Sequence, residues 1–402
     1  MKIVDFETFV VGNPPPRFGG RYFIFVKLTT DNGLVGYGEV YCATFSAHTV
    51  ERMLADTAER YLIGQDPFHI ERLWRRVYGS GYTLRPDISL VSILSGLEMA
   101  CWDIVGKACE KPVYELLGGQ VHDRLRTYTY LYPASGDVYP TEADDDHVYV
   151  NADTAAQRAL DYIEEGFTAV KFDPAGAYTV YDGGMPTLEE LDRCENFVRT
   201  VRNAVGSRAD LLFGTHGQFT AAGALRLAKR LEAYDPLWFE EPTPPENTEE
   251  MARVAAGTSI PVATGERLCT KYEFARVLQA GAAAILQPNL GRVGGLLEAK
   301  KIAALAEIHY AQIAPHLYCG PIVAAANIQL ATCTPNFLIL ESIEQMGGFH
   351  ADLLETPIRW EEGYVIPSSE PGLGVCLNET VARAHPWTGT DLHLEMGRDV
   401  VR

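Results

Sequence analysis

The chain has 402 residues, 34 basic and 53 acidic side chains, a formal net charge of −19 and 47% hydrophobic residues. That apolar content supports a substantial core and excludes wholesale disorder, and the length fits two domains or one large barrel with a smaller unit. The acidity argues against nucleic acid as a partner, and the lack of an apolar run of roughly 18 residues argues against a membrane span. Residues 1–7 lack the basic and apolar stretches of a secretory signal, so a cytoplasmic globular protein is expected. The eight cysteines are scattered with no C-x-x-C pair, which fits reduced core thiols.

Residues 3–11, 22–30 and 34–40 are rich in β-branched and aromatic side chains and predict three strands. Asp31-Asn32-Gly33 predicts the hairpin turn between the last two. Helical patterns follow at 47–62, 67–78 and 89–107. The loops 13–21 and 79–87 are too long for plain turns and are expected to bind a ligand. From about residue 126, short apolar runs alternate with helical patterns. Strands are predicted at 126–131, 168–173, 210–214, 236–240, 261–265, 283–287, 311–315 and 337–341. The helical patterns between them include 221–231, 249–256, 271–279, 295–309 and 321–332. Eight such alternations predict an α/β fold, a modified (β/α)8 TIM barrel with an N-terminal α+β capping domain. The expected division is a cap at 1–125, a barrel at 126–357, and a segment at 358–402 that packs back on the cap.

Catalytic groups in such a barrel come from the C-terminal strand ends. Those ends carry Lys171 and Asp173, Gly214 and His216, Glu240 and Glu241, Glu266 and Arg267, Asn289, His316 and Glu341. From Glu240 through Glu266, Asn289 and His316 to Glu341 the steps are 26, 23, 27 and 25 residues, one β/α unit each. Carboxylates converging on one mouth repel unless a cation sits among them, and oxygen donors without cysteine favour Mg²⁺ over zinc. Two histidines and a lysine around that cation suit proton transfer at a carbon next to a carboxylate. The run Asp144-Asp145-Asp146 reads as a solvated loop, not a second metal site.

With these motifs the chain resembles the enolase superfamily, in the mandelate racemase-like group of acid-sugar dehydratases, and most resembles galactonate dehydratase-type sequences. The resemblance rests on Asp31-Asn32-Gly33, residues 100–107, Leu116-Leu117-Gly118-Gly119, residues 238–242, Gly265-Glu266-Arg267, Gln287-Pro288-Asn289, Gly294-Gly295, Ala314-Pro315-His316 and residues 371–374. It implies a substrate-recognising cap, one Mg²⁺, a small-molecule acid sugar as substrate and a homo-oligomer. It implies Glu240 and Glu266 as metal ligands and His316 as the base for the α-proton. His216 is implied as the acid for the departing 3-hydroxyl, and Glu341 and Lys171 as contacts to the substrate carboxylate. Phe18, Tyr22, Tyr82, Arg85 and Arg267 are expected substrate contacts.

Two positions depart from the family pattern. Gly214 stands where relatives carry a third metal carboxylate, and Asp173 on the neighbouring strand is the expected replacement. Asn289 stands where relatives carry an aspartate paired with the seventh-strand histidine. An asparagine oxygen orients the ring without a full charge, so His316 is expected to be a weaker base than in relatives. The alternatives are a racemase, epimerase or lactone cycloisomerase, which needs no leaving-group acid, and a binding module without catalysis.

Overall fold

The computed structural model describes residues 1–82, 84–136, 138, 146–175 and 183–394. Three antiparallel strands open the chain: β1 (Ile3–Gly12), β2 (Tyr22–Thr30) and β3 (Val35–Val40), in the order β1-β2-β3. Helices α1 (Ala47–Tyr61), α2 (Ile70–Tyr78) and α3 (Ile88–Ala108) cover the sheet. The α3 backbone approaches β3 so closely that a Cβ at Gly36 or Gly38 would collide with the carbonyl oxygens of Ala100 and Gly96. By length and composition α3 would pass for a membrane span, against the expectation from sequence. Its apolar surface is instead buried inside the fold, and Asp87 caps its first turn.

The short α4 (Val113–Leu116) leads into the barrel. Its units are β4 (Leu125–Tyr130), α5 (Ala152–Glu164), β5 (Ala169–Phe172), α6 (Leu188–Val205), β6 (Asp210–Gly214), α7 (Ala221–Leu231), β7 (Trp238–Glu240) and α8 (Thr248–Gly257). Then come β8 (Val262–Thr264), α9 (Thr270–Ala280), β9 (Ile285–Leu286), α10 (Leu296–Ile308), β10 (Gln312–Ile313), α11 (Pro321–Thr332) and β11 (Leu340–Ser342). Side chains of Asn151, Thr187, Thr220 and Asn247 cap α5, α6, α7 and α8. The eight strands run parallel. β11 pairs with β4, and a bridge from Ile313 to Phe337 closes the ring. Tyr128, Ala169, Leu212, Trp238, Ala263, Ile285, Ala314 and Ile339 fill the interior, one from each strand or its flank. This plug raises the site above a dry floor.

The eighth unit is curtailed, since β11 is followed by the five-residue α12 (Gly348–Asp352). A hairpin of β12 (Trp360–Glu361) and β13 (Tyr364–Val365) then joins the barrel at β4. The chain reaches the cap from residue 372, where Gly372 donates to the Lys111 carbonyl at 3.0 Å and Leu373 to Asp103 at 2.9 Å, and again at α13 (Glu379–Ala384), whose Glu379 pairs with Lys27 at 2.5 Å. Beyond α13, Gly12 donates to the His385 carbonyl at 2.8 Å and Trp387 donates to the Val10 carbonyl at 2.9 Å.

Two buried cap carboxylates hold the cap to the barrel. Glu39 accepts from the backbone N–H groups of Gly320 and Val323 at the start of α11, at 2.5 and 2.9 Å. Glu98 accepts from Leu296 and Leu297 at the start of α10, at 2.8 and 2.9 Å. Burial pushes the Glu39 carboxyl up to about 7 against those hydrogen bonds. A carboxyl raised in the folded state favours folding while protonated, and that contribution fades as pH climbs from the unfolded value toward about 7. The stability advantage of the wild type over Glu39→Gln should therefore shrink between about pH 5 and pH 8. Urea unfolding of both proteins across that range reads it, and a constant difference would refute it.

Candidate active site

The predicted strand-end residues meet at one mouth. Glu240, at the end of β7, is buried. Its Oε1 accepts from Lys171 Nζ at 2.6 Å, and its Oε2 accepts from Trp238 Nε1 and Gln287 Nε2 at 3.0 and 2.7 Å. Lys171 also lies 3.8 Å from Glu341, which accepts from the Leu317 N–H at 2.8 Å. Burial would lower the Lys171 ammonium, but Glu240, Glu341 and Glu266 outweigh it and hold the group charged. Glu266, just beyond β8, faces His316 Nε2 at 3.1 Å and His216 Nε2 at 3.9 Å. Donor atoms of His216, Glu240 and Glu266 lie within 4.8 Å of one another, close enough to hold one cation.

Asp173 is not one of these three. Its carboxylate fills the room that a side chain at Gly214 would need, since a Cβ there would collide with Asp173 Oδ1. Oδ2 accepts from the Tyr130 hydroxyl, and Oδ1 faces His216 Nδ1 at 3.4 Å. Asp173 thus stands behind His216 and not beside the two glutamates. Burial would lower the His216 imidazole, but Asp173 and Glu266 outweigh it and push it up to about 9. His216 and Glu241 adopt left-handed backbone, with φ of 48° and 39°, at adjacent strand ends. Such strain is tolerated where surrounding bonds impose it, as at functional sites.

The Asn289 amide faces the opposite way from the expectation. Its Oδ1 accepts from the Gly291 N–H at 2.8 Å, which leaves Nδ2 to donate to His316 Nδ1 at 2.8 Å and toward Cys319 Sγ at 3.3 Å. Turning the amide over would set two donors against each other at Gly291. His316 Nδ1 is therefore an acceptor, and the neutral ring carries its proton on Nε2, toward Glu266. Burial, more than the missing charge at position 289, lowers the His316 imidazole to about 4.

The cap contributes less of what was expected. Phe18 stacks on Tyr132 with ring centres 4.3 Å apart and brings the 13–21 loop onto the end of the first barrel strand. Tyr22 lies too deep for substrate, because its hydroxyl receives the His393 N–H at 3.0 Å and its ring packs on His393 and Trp387. Tyr82, 97% exposed, and Arg85 stay on the surface, with no hydrogen bond or ion pair to the mouth among the described residues. Glu241 holds Arg267 at 2.6 Å. Asp144 and Asp145 lie outside the described residues. Sequence reasoning placed Glu241 and Gln287 at strand ends without giving them a role, and missed Tyr130, Tyr41, Arg292 and His393. The strand-end rule also reaches Tyr130, but no periodicity points to His393, which lies 371 positions after Tyr22.

The chain is similar to known proteins over nearly its whole length. Residues 18–118 match the mandelate racemase/muconate lactonizing enzyme N-terminal domain, and residues 154–381 match the enolase C-terminal domain-like family. The D-galactonate dehydratase of Verminephrobacter eiseniae is 36% identical over 387 residues, covering 95% of this chain and 93% of that protein. The D-xylonate dehydratase of Haloferax volcanii is 34% identical over 400 residues, covering 97% and 90%. A solved structure from Labrenzia alexandrii, a candidate mandelate racemase/muconate lactonizing enzyme, is 68% identical. It superposes with a TM-score of 0.94 over 98% of this chain and 99% of that one.

Proposed function

Because this chain belongs to the mandelate racemase/muconate lactonizing enzyme family of the enolase superfamily, we propose that it is a Mg²⁺-dependent acid-sugar dehydratase. The reading includes a cap at 1–125, a barrel at 126–357 and a closing segment at 358–402. The observation that carries it is the gathering of Glu240, Glu266 and His216 within 4.8 Å, with Lys171 and His316 on either side. A buried and a partly buried carboxylate suit Mg²⁺, which commonly takes one or two from the protein and completes its shell with substrate and water. Glu240 and Glu266 would hold it. A bound divalent cation supplies the charge that favours the enolate of the substrate carboxylate.

The residues act around that carboxylate. Lys171 and Glu341 fix it, the lysine by charge and the glutamate through the lysine. His316 Nε2 takes the proton from the α-carbon once its own proton has moved to Nδ1. The resulting electron pair forms the carbon–carbon double bond as the bond from C3 to its hydroxyl breaks. His216 gives that hydroxyl a proton, so it leaves as water. Asp173 keeps His216 charged for this step. The enol then takes a proton at C3 and becomes a 2-keto-3-deoxy acid.

In the His216→Asn variant, α-proton exchange in deuterated water should persist with Mg²⁺, while keto-acid formation falls by about 10²-fold or more. Loss of both would refute the acid role. Asp173→Asn should leave Mg²⁺ affinity within about threefold by calorimetry, and a tenfold loss would make Asp173 a ligand. A second reading is favoured by the place of His216 among the donor atoms. If His216 ligates the cation, no leaving-group acid remains and the chemistry is isomerisation. His216→Asn would then weaken Mg²⁺ binding, which the first reading does not expect.

A further inference from the structure

One cation at the mouth has no part in this scheme. Arg292 lies between β9 and α10, three residues after Asn289, and is 8% exposed. Its guanidinium covers the Tyr41 ring at 3.8 Å, and Nη1 reaches the Glu266 carbonyl oxygen at 3.4 Å. Nε has no hydrogen-bond partner, and among the described residues no carboxylate lies within ion-pair distance of the group. The other cations here are matched: Lys171 by Glu240, Arg267 by Glu241, and His216 by Asp173 and Glu266. A buried charge without a counter-charge is costly to keep. In a chain of net charge −19, an arginine with no carboxylate at ion-pair distance among the described residues is placed for an anion from outside.

Its surroundings put that anion in the substrate chamber. Tyr41, beneath the guanidinium, has its ring centre 6.2 Å from His316 and 5.0 Å from His393. His393 packs against Tyr22, Tyr41 and Tyr318, and a Cβ at Gly20 would collide with it. The closing segment and the cap loop thus fix the wall on which Arg292 lies. Burial first, and then the charges of Arg292 and Arg21, lower His393 to about 3, so the imidazole adds no charge to this wall. The end of the mouth near Lys171 already accounts for one substrate carboxylate.

We propose that Arg292 receives a second carboxylate, so that the substrate is a dicarboxylic acid sugar, an aldarate and not an aldonate. This rests on the dehydratase reading. A planar guanidinium presents a fork that fits two carboxylate oxygens, which the terminal hydroxymethyl of an aldonate cannot fill.

The test uses matched pairs with Mg²⁺: D-galactonate against galactarate, and D-xylonate against xylarate, by keto-acid formation and by calorimetry. The wild type should favour the aldarate by at least tenfold. Arg292→Gln should lower the aldarate value at least tenfold more than the aldonate value, and Arg292→Lys should keep only part of the preference. If Arg292→Gln does not fold, the ratio in Arg292→Lys decides. Equal or better use of the aldonate by the wild type, or equal losses in the variant, would overturn the proposal. Turnover of aldonates alone would overturn it while leaving the dehydratase reading in place. Failure with both acids of both pairs would remove the reading and the proposal together.

Discussion

Asn289→Asp should raise the rate of α-proton exchange by at least about tenfold, because it removes a hydrogen bond worth about 1–2 kcal/mol that holds His316 in the wrong tautomer. In the wild type the Gly291 N–H claims the Asn289 oxygen, so the amide nitrogen must donate to His316 Nδ1. The lone pair that should meet substrate is then capped by the ring's own proton. An aspartate can accept from Gly291 with one oxygen and from His316 Nδ1–H with the other. That frees Nε2, and the added charge also raises the imidazole, so the acidic limb of the pH profile should move upward. Exchange in deuterated water and the ¹⁵N shifts of the ring read rate and tautomer separately. A slower variant with its proton on Nδ1 would show that His316 works as a donor and not as a base.

Lys171→Met should destabilise the metal-free protein by about 3–5 kcal/mol, the usual cost of breaking one side of a buried ion pair. Lys171 is 2% exposed and is the cation nearest to Glu240 and Glu341 in the structure. Without it their charges face Glu266 across a buried mouth. Added Mg²⁺ should recover much of the loss, since a ligand that binds only the folded state stabilises it by mass action. Thermal unfolding in chelator and in Mg²⁺ makes the comparison. A variant as stable as the wild type in chelator would mean that Glu240 and Glu341 are not held by this lysine.

The barrel was legible because most of the parallel strands are buried on both faces and so appear as short apolar runs. Once those runs are counted, the strand-end rule places Lys171, Glu240, Glu266, His316 and Glu341 at one mouth. The finer arrangement depends on partners that spacing does not encode. The orientation of Asn289 is decided by one backbone N–H at Gly291. The direction of Asp173 is decided by the Tyr130 hydroxyl and by the room left at Gly214. Tyr22 reads as a loop-edge aromatic near a binding segment, yet a residue 371 positions later covers it. Arg267 stands at a strand end as a substrate contact should, but its charge is spent on the buried Glu241 next to Glu240.

The contact between the first strand and the distant closing segment also has a consequence for folding. β1 is an edge strand, and the residues that bond along it, His385 and Trp387, lie more than 370 positions further along the chain. Pairing over so long a loop comes late, and until then the edge is uncovered, a state prone to pairing with other chains. The wall carrying His393 is likewise missing until the closing segment docks. Loss of that segment would therefore leave a barrel with its chemistry in place, an open chamber and a sticky cap.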